Sequence, residues 1–211
     1  MNFLFHMLLS GADEQILVGN FMGDFVKGPL QERFEPRIRQ GVMLHRQIDS
    51  YAERHPLYRH SRHRLAAEYG RYRGVMVDIF FDYFLANDWD TWCEESFPDY
   101  LARTRAVVER HRPALPEALQ RVAPIIFEEL LPSYATVEGI GSALSRLSRR
   151  LTRTNPLHGG ERELIRLHDE LRCDFRAFAP EAFRFAGEVI DLRIPRQVGH
   201  PFRLKSATQY D

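Results

Sequence analysis

Apolar residues recur along most of the chain at the three- and four-residue spacing of amphipathic helices. No segment alternates convincingly between apolar and polar positions, as a half-buried β-strand would. The clearest helical stripes lie in residues 36–55, 100–112, 139–153 and 161–178, and a separate last helix is predicted over residues 180–192. The pattern therefore predicts an all-α protein: a single-domain helical bundle over residues 1–192, followed by an irregular tail over residues 193–211.

The stretch Val77–Ala86 is apolar and aromatic in nearly every direction around a helix, which is the pattern of a buried helix. It contains Asp78 and Asp82, which share one helical face because they are four residues apart. Two like charges in an apolar interior are unfavourable unless something neutralises them. A bound cation would do so, and so would an arginine or a shared proton; this helix alone leaves these alternatives open.

A second predicted helix begins at Pro36 and carries His45 and Asp49, again four residues apart and on its apolar side. One such pair is often a core histidine with its acid partner. Two pairs on two helices are typical of the metal sites that helical bundles assemble from inward-facing side chains. The two patterns together favour one metal site in the core.

Asp13 is the predicted N-cap of a helix that runs to about Val26. Asp24 lies on the inward face near the end of this helix. The helix dipole disfavours an anion at that end, which suggests that Asp24 has a functional reason to be there.

Composition narrows the class of protein. The chain has 211 residues, is 44% hydrophobic and has zero formal net charge, so it can bury a large core and has no bulk attraction to nucleic acid or membranes. No apolar run approaches the length of a transmembrane helix. The two cysteines, Cys93 and Cys173, form no disulfide framework and predict a reducing, cytoplasmic compartment.

Several short segments, in order over about residues 1–185, resemble the acyl carrier protein phosphodiesterase family. They are NFLFH (Asn2–His6), GNFMGDFVKG (Gly19–Gly28), HRQID (His45–Asp49), DIFFDYFLANDW (Asp78–Trp89), SYATVEGI (Ser133–Ile140), SRRLTRTNPL (Ser148–Leu157) and DFRAFAP (Asp174–Pro180). The resemblance implies an all-helical variant of the HD-type metal-dependent phosphohydrolases. It also implies hydrolysis of the phosphodiester between 4′-phosphopantetheine and the serine of holo acyl carrier protein, with a divalent cation that is usually manganese.

The family motifs place the expected metal ligands at six positions: His6, Asp24, His45, Asp49, Asp78 and Asp82. Family members often carry a second histidine two positions after His6, where this chain has Leu8. A ligand set of carboxylates and imidazoles without a thiolate suits manganese, magnesium or iron(II) better than a structural zinc. Such a cation would bind a phosphate oxygen and activate a water, with Asp24 or Asp49 as the candidate general base.

Arginines supply the candidate substrate-binding residues. Arg46 adjoins His45 and could neutralise charge on the phosphate, although it could equally lie on the surface. Four arginines share one side of a predicted helix and could bind an acidic carrier protein, or could form an ordinary solvated face: Arg146, Arg149, Arg150 and Arg153.

Two other functions remain open at this stage. An HD-like phosphohydrolase could act on a small phosphodiester or a nucleotide, without a protein partner. A metal-free helical interaction module would instead neutralise its aspartate pairs with arginines.

Overall fold

The computed structural model describes residues 2–30 and 33–191, so the predicted tail over residues 193–211 lies outside the described residues. Twelve α-helices span Phe3–Leu8 (α1), Glu14–Phe21 (α2), Pro36–Arg54 (α3), Pro56–Arg64 (α4), Arg73–Asn87 (α5), Trp89–Trp92 (α6), Phe97–Arg110 (α7), Glu117–Ile125 (α8), Leu131–Ser133 (α9), Val137–Arg150 (α10), Glu161–Arg166 (α11) and His168–Asp191 (α12). Short 3-10 segments lie at Gly23–Phe25, Ala67–Tyr72 and Arg112–Ala114, and one π-helical turn lies at Ile126–Leu130. The described ranges contain no strand, which confirms the all-α prediction.

Helices α2 and α3 pack backbone against backbone. A Cβ atom on Gly19 would lie 2.0 Å from the carbonyl oxygen of Ile38, and one on Gly41 would lie 2.2 Å from the carbonyl oxygen of Ile16. Any side chain at either glycine would therefore push the two helices apart. This close approach brings the C-terminal end of α2 to the middle of α3.

Helix α5 is the buried centre of the bundle, as its apolar pattern predicts. Its Phe81 packs on Phe175 and Phe178 of α12, with ring centroids 5.3 and 5.6 Å apart, and Phe5 of α1 packs on the same two rings. Aromatic contacts of this kind stabilise a core beyond the area that they bury. They tie α1, α5 and α12 into one core.

The end of α2 differs from the prediction. Asp13 does cap the helix, since the N–H of Ile16 donates to its carboxylate at 2.9 Å. The helix ends at Phe21 instead of Val26, and Asp24 lies on the 3-10 segment that follows.

The last helices differ as well. The predicted helix over residues 161–178 is broken at Leu167, whereas α12 continues through Pro180 to Asp191. Proline in a helix removes one hydrogen bond and costs about 3 kcal/mol. Phe178, Ala179, Ala182 and Phe183 around it are all buried, and this burial outweighs that cost. None of the described helices is long and apolar enough to cross a bilayer.

Candidate metal centre and its cavity

His45 is fixed in one orientation in the middle of α3. Its ring is buried, and its Nδ1–H donates to the backbone carbonyl of Asn20 at 2.9 Å. This bond leaves the lone pair of Nε2 as the free side of a neutral ring. Nε2 has no hydrogen-bond partner in the part of the chain described here, yet it lies 3.5 Å from an oxygen of Asp24 and 3.3 Å from an oxygen of Asp49.

His6 of α1 lies against the same carboxylate. Its Nε2 is 3.1 Å from the second oxygen of Asp49, and its ring stacks on that of His45 with centroids 3.9 Å apart. Burial and the neighbouring His45 lower the pKa of His6 to about 4, so the ring is neutral at neutral pH. Ligand atoms of His6, His45 and Asp49 all lie within 4.8 Å of one another.

The two acids of the cluster stay ionised. Burial raises the pKa of Asp49, but the hydrogen bond to His6 and the nearby imidazoles outweigh it and hold the pKa well below its usual range. Burial likewise raises the pKa of Asp24, but the imidazole of His45, 3.5 Å from one carboxylate oxygen, outweighs it and lowers that pKa. Lone pairs of an imidazole and two carboxylates therefore face one another, and a positive charge has to lie between them. A divalent cation meets that requirement, and so does a proton on His45.

Two residues that build the cluster had no role in the sequence predictions. The side-chain amide of Asn20 donates to the carbonyl of His6 at 2.7 Å and to Ser10 at 2.9 Å, so it joins α1 to α2. Gly23 lies against His45, because a Cβ atom there would be 2.1 Å from Cγ of the imidazole. The two glycines of the GNFMGD segment, Gly19 and Gly23, were the sequence feature that could have indicated close packing at this point.

The acids of α5 do not join the compact cluster. Each oxygen of Asp82 accepts a backbone N–H, from Leu4 or Phe5, at 3.0 Å. Asp82 thus satisfies the first turn of α1, the helix that carries His6. It lies outside the compact group of His6, His45 and Asp49, and its expected role as a metal ligand stays a prediction. Asp78 accepts a hydrogen bond from the Tyr58 hydroxyl at 2.6 Å and is a wall residue of the cavity beside the cluster.

That cavity has a volume of about 930 Å³. Carboxylates of Asp24, Asp49 and Asp78 line it, and so do three arginines of α10: Arg146, Arg149 and Arg150. Arg146 forms an ion pair with Glu129, whereas Arg149 and Arg150 have no ion pair within the described ranges. The cavity can therefore place an anionic group between the cluster and two uncompensated cations.

The other two candidate arginines lie outside this cavity. Arg153 is exposed and follows the end of α10. Arg46 donates to the backbone carbonyls of Val26 and Gly28 at 2.9 Å each, so it fastens the segment that follows Asp24. Both bonds use Nη2 of Arg46, and the expectation that this residue binds phosphate stays a prediction.

Comparison with known proteins gives one consistent answer. Residues 1–182 match the model of the acyl carrier protein phosphodiesterase family. An acyl carrier protein phosphodiesterase of Yersinia enterocolitica is 30% identical over 182 residues, which cover 85% of this chain and 94% of that protein. Those of Yersinia pestis and of Escherichia coli O6:H1 are 30% and 29% identical, over 88% and 85% of this chain and 97% and 94% of their own. No solved structure matches, so the likeness to HD-type folds stays a prediction.

Proposed function

This chain belongs to the acyl carrier protein phosphodiesterase family, and we propose that its catalytic centre is the cluster of His6, Asp24, His45 and Asp49. The reaction is hydrolysis of the phosphodiester between 4′-phosphopantetheine and the serine of holo acyl carrier protein. The family match over residues 1–182 carries this conclusion. It favours an enzyme over the interaction module, because the matched relatives are named phosphodiesterases.

The cluster suits a divalent cation. Its free groups are imidazole nitrogen and carboxylate oxygen with no thiolate, which favours Mn²⁺, Mg²⁺ or Fe²⁺. The buried, unpartnered Nε2 of His45 is the observation that supports a cation in particular. When bound, such a cation polarises the phosphoryl group and lowers the pKa of water.

Side chains of the protein position the two imidazoles, accept a proton and stabilise the phosphodiester. Asp49 is engaged by both imidazoles and keeps the two rings in place. Asp24 is the more exposed acid and lies on the cavity wall, so it is the group that accepts the proton of the attacking water. Arg149 and Arg150 stabilise negative charge on the phosphodiester from α10.

The substrate is itself a protein, and acyl carrier proteins are acidic. The arginines at the end of α10, together with exposed Arg153, form a basic surface beside the cavity. Charge reversal at Arg153 should raise KM for the carrier protein and leave kcat nearly unchanged, because Arg153 lies outside the cavity. An unchanged KM at low salt would remove the docking role.

The reaction is tested by following the intact mass of holo acyl carrier protein during incubation with the enzyme and Mn²⁺. The expected result is loss of the phosphopantetheine group, abolished by a chelator and by Asp24→Ala. Asp169→Ala is a matched control, since that side chain is 94% exposed and lies outside the cavity. Stoichiometric metal without any loss of mass would instead favour the small-phosphodiester alternative.

We place the reaction in the cytoplasm. The support is chemical: both cysteines, Cys93 and Cys173, are free thiols, as a reducing compartment requires.

A further inference from the structure

The cavity beside the cluster is larger than the reacting group needs. Its volume of about 930 Å³ lies near the upper end for sites that enclose whole small molecules. A phosphodiester and a metal ion would fill only the part next to Asp24 and Asp49. The side chains that line the remaining space indicate what else the cavity can bind.

Most of the residues that line the cavity are apolar, and aliphatic side chains are the largest group among them. Helix α5 contributes Ile79, α10 contributes Ala143 and Leu147, and the π-helical turn contributes Ile126 and Leu130. Ile125, which is 47% exposed, also lines the cavity. This surface suits an uncharged, flexible chain and offers nothing to a second anion.

The π-helical turn shapes this wall. Phe127 within it points into the core, where its ring lies 5.4 Å from that of Phe21. Ile126 and Leu130 line the cavity instead. A π-turn widens the helix locally and often occurs at functional sites. Here it lets one short segment pack into the core and line the cavity at the same time.

Helix α10 places the apolar and cationic parts in a fixed order. Ala143, Leu147 and Arg150 follow one another at helical spacing on the cavity side. The rise of an α-helix separates Ala143 from Arg150 by roughly 10 Å. A ligand that lies along this face would meet an apolar surface at one end and a guanidinium group at the other.

We propose that the aliphatic wall formed by Ile79, Ile126, Ala143 and Leu147 binds the neutral arm of the substrate that extends from the scissile phosphate. The wall then contributes to specificity by recognising the pantetheine arm, while Arg149, Arg150 and the cluster hold the phosphate. This inference rests on the proposed function, because that function supplies an arm attached to the phosphate. The occupant is a covalent part of the substrate, and no separate ligand is required.

The test is calorimetric binding of 4′-phosphopantetheine and of inorganic phosphate to the Mn²⁺-loaded protein. Ala143→Phe fills the wall and should weaken 4′-phosphopantetheine binding at least about tenfold, with phosphate binding unchanged, because steric and apolar contacts of one side chain discriminate on this scale. Leu147→Ala, which removes contacts without crowding the core, should act in the same direction and serves if the first variant does not fold. Ile165→Ala is the control, since Ile165 is 61% exposed and lies outside this cavity.

The binding results test the arm-binding wall, and the mass assay tests the proposed hydrolysis. Equal weakening of both ligands, or no change in a folded variant, would overturn the arm-binding wall. The mass assay on the wild-type enzyme judges the proposed function separately. Loss of phosphopantetheine from the carrier, combined with an unaltered Ala143→Phe variant, would keep the function and reject the wall.

Discussion

Helices α3 and α5 carry the same pattern and use it differently. Each places two polar side chains four residues apart on a buried face: His45 and Asp49 on α3, Asp78 and Asp82 on α5. On α5, Asp82 meets two backbone N–H groups and Asp78 meets a tyrosine hydroxyl, so both have protein partners. On α3, Asp49 lies 3.1 Å from Nε2 of His6 and 3.3 Å from Nε2 of His45, and this His45 nitrogen has no hydrogen-bond partner among the described residues. The spacing therefore indicates which face a residue occupies, and only the partner shows whether it is a structural or a metal-binding group.

The largest expected effect is on the α3 side of this comparison. Asp49→Asn should abolish metal binding and reduce hydrolysis of holo acyl carrier protein by more than about a hundredfold, beyond the usual effect of losing an outer-shell group. The fold should survive, because asparagine has the size of Asp49 and keeps one oxygen toward His6. Metal analysis of the purified variant and thermal unfolding would check both parts. Retained metal at wild-type occupancy would contradict the assignment.

The α5 side should show the opposite behaviour. Asp82→Ala leaves two buried N–H groups at the start of α1 without an acceptor, which should lower the free energy of unfolding by about 2–4 kcal/mol. Asp82→Asn keeps one acceptor oxygen and should cost less. Urea denaturation measures both variants. Metal content per folded molecule should remain near the wild-type value, and a complete loss of metal in folded Asp82→Asn would return Asp82 to the ligand set.

A substitution that leaves the aspartates of both helices unchanged can further distinguish the role of α3 from that of α5. Gly23→Ala brings a methyl group into the His45 ring, so metal affinity should fall by about 10–100-fold, the range for disturbed outer-shell positioning. Gly187→Ala is the matched control, because a Cβ atom there meets nothing within 4 Å. That control should be neutral or slightly stabilising. Equal metal affinity in both variants would show that His45 is not held as described.

Stability should also depend on pH. Burial raises the pKa of Asp82 to about 8, against the two N–H groups that lower it, whereas an unfolded aspartate titrates near its usual value of about 3.9. The folded state then binds more protons than the unfolded state between these values. Stability from this group is fully present below about pH 4 and declines as the pH rises through 8. Asp82→Asn should flatten that part of the profile; an unchanged slope would show that Asp82 is ionised in the folded protein.

Helical patterns predicted the buried helix α5, the cap at Asp13, the start of α3 at Pro36, and the inward face that carries His45 and Asp49. They could not give the partners of Asp82, because those N–H groups are 77 and 78 residues away along the chain. These elements are defined by local spacing, whereas partners depend on tertiary contacts.

Local patterns could not predict the end of α2 or the continuity of α12 either. The end of α2 depends on how Gly23 packs against His45, and the continuity of α12 through Pro180 depends on burial that no local pattern reveals. The family resemblance supplied His6, whose short helix carries too few residues for a periodicity argument.

The proposed divalent-cation site of this phosphodiesterase consists of His6, Asp24, His45 and Asp49. It is tested most directly by titrating metal-stripped wild-type, Asp49→Asn and Asp82→Asn proteins with Mn²⁺ and following free Mn²⁺ by electron paramagnetic resonance. We expect tight binding by wild-type and Asp82→Asn proteins, loss of binding by Asp49→Asn, and hydrolysis of holo acyl carrier protein that follows the same order. Undiminished binding and hydrolysis in Asp49→Asn, with both lost in folded Asp82→Asn, would contradict it.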